Sequence, residues 1–458
     1  MPHALEETPD DVVVALSRPG PRYTSYPTAD RFAPAFGPAD HARALAAVGA
    51  GGGPLGLYVH LPFCRQLCHY CACNVVVTRS TSAAGEYLAL LAREAELVAG
   101  ALGERLPVAH LHLGGGTPTF FTPAELERLH GLLARWFDLG ALAEAAVEAD
   151  PRVTTREHLA ALAGCGFDRL SVGVQDFDEG VQVRIGRMQS VEQTRRVIDD
   201  ARALGFRGAN VDLVYGLPGQ TEASLARTLA VVTEELAPDR VALFSYAHVP
   251  WLRPAQRKFE RGGAAPPGPL EKVRLLRRAA RALVDAGWVT VGMDHFARPD
   301  DALARAAAEG RLRRDFQGYG PEHARALVGL GVTAISELDR AYAQNERDLA
   351  AWSAALEAGR LPVARGLWLT EDDARRRAAI RALMTGAPLP GAVDDYPGAR
   401  AALEPLVDLG LVRLDAPGPG ALEVTPRGRW FVRNVAMAFD AHLPAAAAAA
   451  GPRFSQTV

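Results

Sequence analysis

The sequence predicts an α/β protein built on a partial (β/α)6-type barrel, with an N-terminal arm and a mainly helical, winged-helix-like C-terminal domain. Three observations predict it. Short β-rich runs recur at 55–61, 108–113, 145–150, 168–174, 208–215, 239–246 and 288–293. Longer amphipathic runs at 83–101, 123–138, 154–164, 190–204, 221–236 and 270–286 separate them; strands parted by helices imply right-handed crossovers and a parallel sheet. Polar motifs fall where the strand-like runs end, and in such folds the chemistry gathers at the C-terminal ends of the strands.

A chain of 458 residues is long enough for two or three domains. We divide it into an arm and linker (1–53), a catalytic domain (54–352) and a helical domain (353–458). With 48% apolar and 22% charged residues it has an ordinary globular composition. No apolar run is long enough to cross a bilayer, so a cytoplasmic protein without a membrane role is expected. A net charge of −3 sets up no field that would draw nucleic acid.

The first 50 residues show little periodicity. Within them RPGPRYTSYPT (18–28) has three prolines, which fix φ and remove donors, so a stiff extended arm is expected there and no helix. GGGP at 51–54 then reads as a linker.

The run YVHLPFCRQLCHYCACNVVVT (58–78) places four of the five cysteines, Cys64, Cys68, Cys71 and Cys73, within ten residues. Thiolates so close in sequence can converge on one soft metal centre. Three thiolates on a four-iron cluster leave one iron open to a small molecule. Zinc would draw a second pair of ligands, and none follows. The acidic N-terminus has no apolar core of a signal peptide, so the thiols are expected to stay reduced. Cys165, alone in LAGCGF, reads as a small buried hydrophobe.

The C-x3-C-x2-C spacing is the radical S-adenosylmethionine (SAM) signature. With Cys73 and the flanking YVHLPFC and NVVVTR text, the chain resembles the oxygen-independent coproporphyrinogen III oxidases. That resemblance implies a radical SAM barrel and a [4Fe-4S] cluster on Cys64, Cys68 and Cys71. It also implies SAM, two per chain, and a low-potential electron donor such as flavodoxin or ferredoxin acting on a monomer. The implied reaction converts the ring A and B propionates of coproporphyrinogen III to vinyl groups by a 5′-deoxyadenosyl radical, giving protoporphyrinogen IX. PRYTSYPTA belongs to the same text and implies an arm over the active site, with Arg22 and Tyr23 near the substrate. The resemblance puts Tyr58, Tyr70, Gly115, Gly116, Thr117, Glu148, Gln175, Arg187, Asp212, Ala247 and Ile335 among SAM-contacting residues. Tyr58, Cys73 and Arg22 are the catalytic candidates. A fourth thiolate on the cluster would block SAM, so Cys73 is assigned to electron exit or to support of the site.

The residues themselves bear on these assignments. Gly114-Gly115-Gly116 follows the second strand and strips away side-chain bulk, so backbone can lie against a ligand. Glu148 ends the third strand and, by alternation, points a carboxylate into the barrel mouth, where it can accept from ribose hydroxyls or an ammonium group. The fourth strand ends in Gly173-Val174-Gln175-Asp176 and the fifth carries Asn210-Val211-Asp212. Four propionates call for guanidinium forks and amide donors. Arg22 and Arg298, helped by Gln256, Gln317 and His295, are the candidates.

From 320 to 326 the text departs from the family and resumes at GLGVTAIS (329–336), leaving substrate contacts there open. Beyond 352, helices are expected at 367–389 and 398–411, then two β runs flanking Pro417–Gly420, an order like a winged helix. No basic stripe accompanies it, so a structural or lid role is expected rather than DNA binding. Two other functions stay open: a haem-binding chaperone that performs no decarboxylation, and a sister enzyme on another tetrapyrrole.

Overall fold

The computed structural model describes residues 2–80, 82–261, 265–321, 324–415, 422–443 and 454–457. At its centre six strands lie side by side in chain order, all parallel: β1 (Leu55–Leu61), β2 (Val108–Gly115), β3 (Glu144–Ala149), β4 (Arg169–Gln175), β5 (Gly208–Tyr215) and β6 (Arg240–Ser245). Six more strands extend the sheet: β7 (Val289–Val291), β8 (His295–Ala297), β9 (Ala326–Leu330), β10 (Ile335–Glu337), β11 (Ala341–Asn345) and β12 (Val363–Trp368). The order is β12-β11-β10-β9-β1-β2-β3-β4-β5-β6-β8-β7, with β12 and β7 as unjoined ends, so the barrel is partial.

Alternation along each strand explains its two faces. Leu111, Leu113, Val147, Leu170, Val172, Val211, Leu213, Val241 and Leu243 are buried in the main core. Their neighbours His110, His112, Glu144, Glu148, Ser171, Asn210 and Asp212 line the interior. The helices Ala83–Leu102, Pro123–Trp136, Arg156–Gly164, Val191–Ala203, Glu222–Ala230 and Pro269–Asp285 cover the outside. Several start at a capping box, as where Thr122 accepts from Glu125 N and the Glu125 carboxylate takes Thr122 N.

The structure corrects several expectations. The run 288–293 does not continue the parallel series. Gly292, at φ +60°, turns the chain back after three residues, and β7 and β8 form an antiparallel hairpin beside β6. A seventh parallel strand is supplied instead by β9, on the other side of β1. Residues 367 and 368 belong to β12, and the helix begins only at Glu371, capped by Thr370. The first 50 residues do contain helices, Pro2–Glu6, Asp10–Leu16 and Pro38–Gly51, while 18–28 is free of helix as its prolines dictate. Cys165 is half-buried at a helix end, not fully enclosed.

A second core joins the two ends of the chain. Leu5, Val12, Val13, Leu16, Tyr23 and Tyr26 pack with residues of Glu371–Thr385, Ala399–Asp408, Val432–Ala436 and Phe439. The two helices and the hairpin Val412–Leu414/Leu422–Val424 follow the expected order. The turn Pro417–Gly420 and the stretch Ala445–Ala450 lie outside the described residues.

Candidate active site

The cysteine loop is built by a short parallel pair, Phe63–Cys64 with Val76–Val77. Val76 N donates to Pro62 O at 2.8 Å and Thr78 N to Cys64 O at 3.0 Å, which closes the loop on itself. Its far side is fastened to the helix Glu179–Ile185, where His69 N donates to Ile185 O at 2.8 Å. Cys64, Cys68, Cys71 and Cys73 all line one cavity of about 830 Å³ over the strand ends.

Glycine makes that proximity possible. A Cβ on Gly116 would stand 2.5 Å from Pro62 O and 2.8 Å from Phe63 O; one on Gly115, at φ +113°, would meet the His60 ring at 2.6 Å. The triple glycine thus lets the β2 loop lie directly against the approach to Cys64. Thr117 Oγ1 is then 3.4 Å from Cys64 Sγ.

The cavity wall carries fixed charge. Arg187 donates to Gly173 O (2.6 Å), Asp150 Oδ2 (3.2 Å) and Cys68 Sγ (3.7 Å). Arg152 grips Asp150 and places Nη2 3.8 Å from the same sulfur. Negative charge on this sulfur, or on a group it holds, therefore meets two preset donors. Burial pushes the Cys64 thiol up to about 11. Contact with Cys73 draws the Cys71 thiol down to about 7, and the same contact pushes Cys73 well up.

Further along the wall, Glu148 accepts from Gly115 N at 3.2 Å and pairs with His112 Nε2 at 3.1 Å. Burial would raise its carboxyl, but the His112 contact leads a set of partners that holds it below the ordinary value. Asp212 accepts from Ser171 Oγ (3.0 Å) and Asn210 Nδ2 (2.7 Å). Burial, with Glu148 opposite, lifts Asp212 to about 6. Gln175 sits at a register shift against β5 with φ +69°, a left-handed conformation that a side chain rarely adopts.

Of the residues singled out from the sequence, Tyr70, Gly115, Gly116, Thr117, Glu148, Gln175, Arg187, Asp212, Ala247, Arg22, His295 and Gln317 line this cavity with the four cysteines. Tyr23 does not: it is buried in the second core, with its hydroxyl on Asp440. Four more stand elsewhere. Tyr58 is not among the lining residues but stands next to them, on the interior face of β1, its hydroxyl on His60 Nδ1 at 2.9 Å and its ring beside His112. Ile335 packs on the Phe32 and Tyr342 cluster. Gln256 is fully buried and its amide is spent on Val249 N, Tyr70 O and Ala247 O, so it ties two loops together and cannot serve as a substrate donor. Arg298 lies at the opposite end of β6, where Ala297 pairs with Arg240, and its guanidinium covers the Trp288 ring 3.4 Å from the centroid.

The sequence reading missed His110, His112, Glu144, Arg169, Ser171 and Arg240, which also line the interior with Asn210. The signal was present as polar side chains at every second position of the barrel strands. Arg314, Asp294 and Tyr319 were missed too; Arg314 and Tyr319 face each other across a short antiparallel hairpin, Leu312–Asp315 with Gly318–Pro321, and Asp294 sits in the turn before β8, pieces too short for periodicity to mark.

The residues fit an iron–sulfur cluster and SAM. Three thiols spaced C-x3-C-x2-C share one wall with preset cationic donors, and a side-chain-free glycine loop lies next to them. Among the described residues no three Cys, His, Asp or Glu groups gather as ligands of a single ion would. A cluster takes one thiolate per iron, so it asks for thiols spread around a volume.

Parallel partial barrel, cysteine loop and glycine-rich strand ends together define a radical SAM enzyme, and residues 58–232 match the Radical SAM superfamily. The chain is 42% identical over 448 residues to the oxygen-independent coproporphyrinogen III oxidase of Pseudomonas aeruginosa, covering 95% of this chain and 96% of that one. It is likewise 42% identical over 438 residues to the Escherichia coli enzyme, covering 93% of each. The solved structure of coproporphyrinogen III oxidase from Escherichia coli superposes with a TM-score of 0.86 at 41% identity, covering 92% of this chain and 98% of that one. The chain belongs to the family of oxygen-independent coproporphyrinogen III oxidases.

Proposed function

We propose that this cavity is where the chain converts the ring A and B propionates of coproporphyrinogen III to vinyl groups without oxygen, yielding protoporphyrinogen IX in haem biosynthesis. The observation that supports this most is the convergence of Cys64, Cys68 and Cys71 with Gly115, Glu148, Gln175, Arg187 and Asp212 on one cavity. Cys64, Cys68 and Cys71 would hold a [4Fe-4S] cluster, with SAM against the glycine loop and the ends of β3 to β5. When bound, these groups supply one-electron reduction and a radical able to take a hydrogen atom from a propionate β-carbon.

Binding, orientation and exclusion of water fall to the chain. Glu148 and Asp212 present acceptors suited to an ammonium group or ribose hydroxyls. Arg187 and Arg152 hold the cysteine loop's charge in balance. Arg22, whose Nη2 donates to Ser245 O at 2.6 Å, brings a half-buried guanidinium to the cavity for a carboxylate. His295 is oriented by Asp294, 2.7 Å from its Nδ1. The buried amide oxygen of Gln317 has no partner among the described residues, and a pyrrole N–H is a donor of the right kind.

The finer reading includes two SAM molecules per chain, a supporting or electron-exit role for Cys73, and a low-potential donor of the flavodoxin or ferredoxin kind. It also takes the protein as a cytoplasmic monomer; among the described residues no helix is long and apolar enough to cross a membrane. Anaerobic reconstitution with iron and sulfide, followed by SAM, reductant and coproporphyrinogen III, tests the whole. 5′-Deoxyadenosine with protoporphyrinogen IX is the expected result; haem binding without either product would overturn it.

A further inference from the structure

The arm that delivers Arg22 to the cavity is anchored in the second core on either side of its proline-rich stretch, by Leu16 before it and by Tyr23 and Tyr26 after it. Between Leu16 and Tyr23 it contributes nothing to the second core. Hydrogen bonds hold this stretch instead, and they come from the far end of the chain. Gly20 N donates to Ser455 O at 3.1 Å, Thr457 N donates to Arg18 O at 2.8 Å, and Pro19 and Gln456 face each other as an antiparallel bridge. Thr457 Oγ1 donates to Leu16 O at 2.6 Å.

Arg433, on the short helix Val432–Ala436, ties both strands of this contact. It is 6% exposed. Its Nε donates to Pro21 O at 2.9 Å and its Nη2 to Gly20 O. Its Nη1 donates to Gln456 O at 3.0 Å and Thr457 O at 3.3 Å. A planar guanidinium with five donors is the side chain that can hold four carbonyls from two segments at once. One residue beyond Pro21, Arg22 reaches the cavity, and its own carbonyl accepts from Arg314 Nη2 at 3.1 Å.

We propose that Arg433 and the segment Ser455, Gln456 and Thr457 form a latch that positions Arg22 for a substrate carboxylate. The latch rests on the functional reading above, in which Arg22 meets a propionate. Arg433 touches neither substrate nor cofactor; it is a positioning residue acting through the arm. The C-terminal domain thereby tunes substrate binding from outside the barrel, and SAM binding is independent of it.

The test uses the full-length enzyme, a chain ending at Arg453, and R433Q, R433K and R22A. The truncation and R433Q should each raise the KM for coproporphyrinogen III about tenfold, with kcat within about twofold and SAM affinity unchanged. R433K should recover part of the loss. Added to R22A, the truncation should raise KM no further, because residues acting as one unit are not additive. Amides of residues 17–24 should exchange hydrogen faster in the truncated chain, a readout that needs no turnover. An unchanged KM, full additivity with R22A, or unaltered exchange in the arm would each overturn the latch. A full-length enzyme that forms no vinyl product overturns the functional reading instead, and the exchange measurement still decides the latch.

Discussion

Glu94 places a carboxyl inside the helix Ala83–Leu102, 1% exposed, where it accepts from Gly331 N at 2.8 Å and from Asn345 Nδ2. Those bonds fasten the turn between β9 and β10 to the helix, beside Tyr87, whose hydroxyl accepts from Val332 N and donates to His60 O. The family-like text at 329–336 is thus a clamp on the cysteine strand. Burial raises the Glu94 carboxyl from 4.5 to about 7. Between those values the unfolded chain has released its proton and the folded chain has not, so stability falls as pH rises through that window. The loss is on the order of 3 kcal/mol. Glu94→Gln should remove that slope: in urea titrations at pH 5 and pH 8, the variant should gain on the wild type as pH rises. Parallel profiles would show that Glu94 is charged in the fold. No sequence pattern marks this residue, since an acid within an amphipathic helix ordinarily faces water.

At the scale of elements, the strand interiors are layered. Arg240 and Arg169 close the floor against Glu144 and Asp301: Arg240 Nε to Asp301 Oδ1 is 2.7 Å, Arg240 Nη2 to Glu144 Oε2 is 3.1 Å, and Arg169 Nη1 to Asp301 Oδ2 is 2.9 Å. Above it stand His112, Glu148, Asn210 and Asp212, then the cysteine loop. Arg240→Met would strip one cation from two buried carboxylates and should cost about 3–5 kcal/mol in chemical denaturation at pH 7. Although burial would raise Glu144, Arg240 and Arg169 hold it near 2. The stabilisation is therefore present above its ordinary value of 4.5 and is lost as pH falls from there toward 2. The variant's deficit should narrow over that range, and a constant deficit would show that packing, not charge, is lost. Six strand runs were legible in sequence because each is an apolar face interrupted by turn residues. β9 was not, because ALVGL is too short and uniformly apolar to declare its direction. The hairpin β7–β8 was misread because period-2 patterning does not say whether a strand runs parallel or antiparallel.

Among the described residues the two largest of five hydrophobic clusters form the catalytic core and a second core that gathers the chain's two ends. β11 and β12 extend the catalytic sheet to Trp368, so we propose that the division between catalytic and helical units falls near Leu369. The N-terminal helices complete the C-terminal core, with Leu16 2% exposed within it. Leu16→Ala should destabilise by about 3 kcal/mol and lower the melting temperature measured calorimetrically. A change confined to the arm's mobility would argue that those helices are dispensable. The sequence by itself determined the chemistry: cysteine spacing, glycine run and strand-end acids are local patterns, and local patterns survive in one dimension. It also determined the alternation that builds a parallel barrel. Only the tertiary structure decided which candidates face the cavity, that Gln256 is spent on tying two loops and Arg298 on covering Trp288, and that residues 16–20 and 455–457 pair. Those facts depend on how the chain folds back on itself, from the ten residues between Trp288 and Arg298 to the more than four hundred between Arg18 and Thr457, where burial and hydrogen-bond partners are set by the fold and not by local patterning.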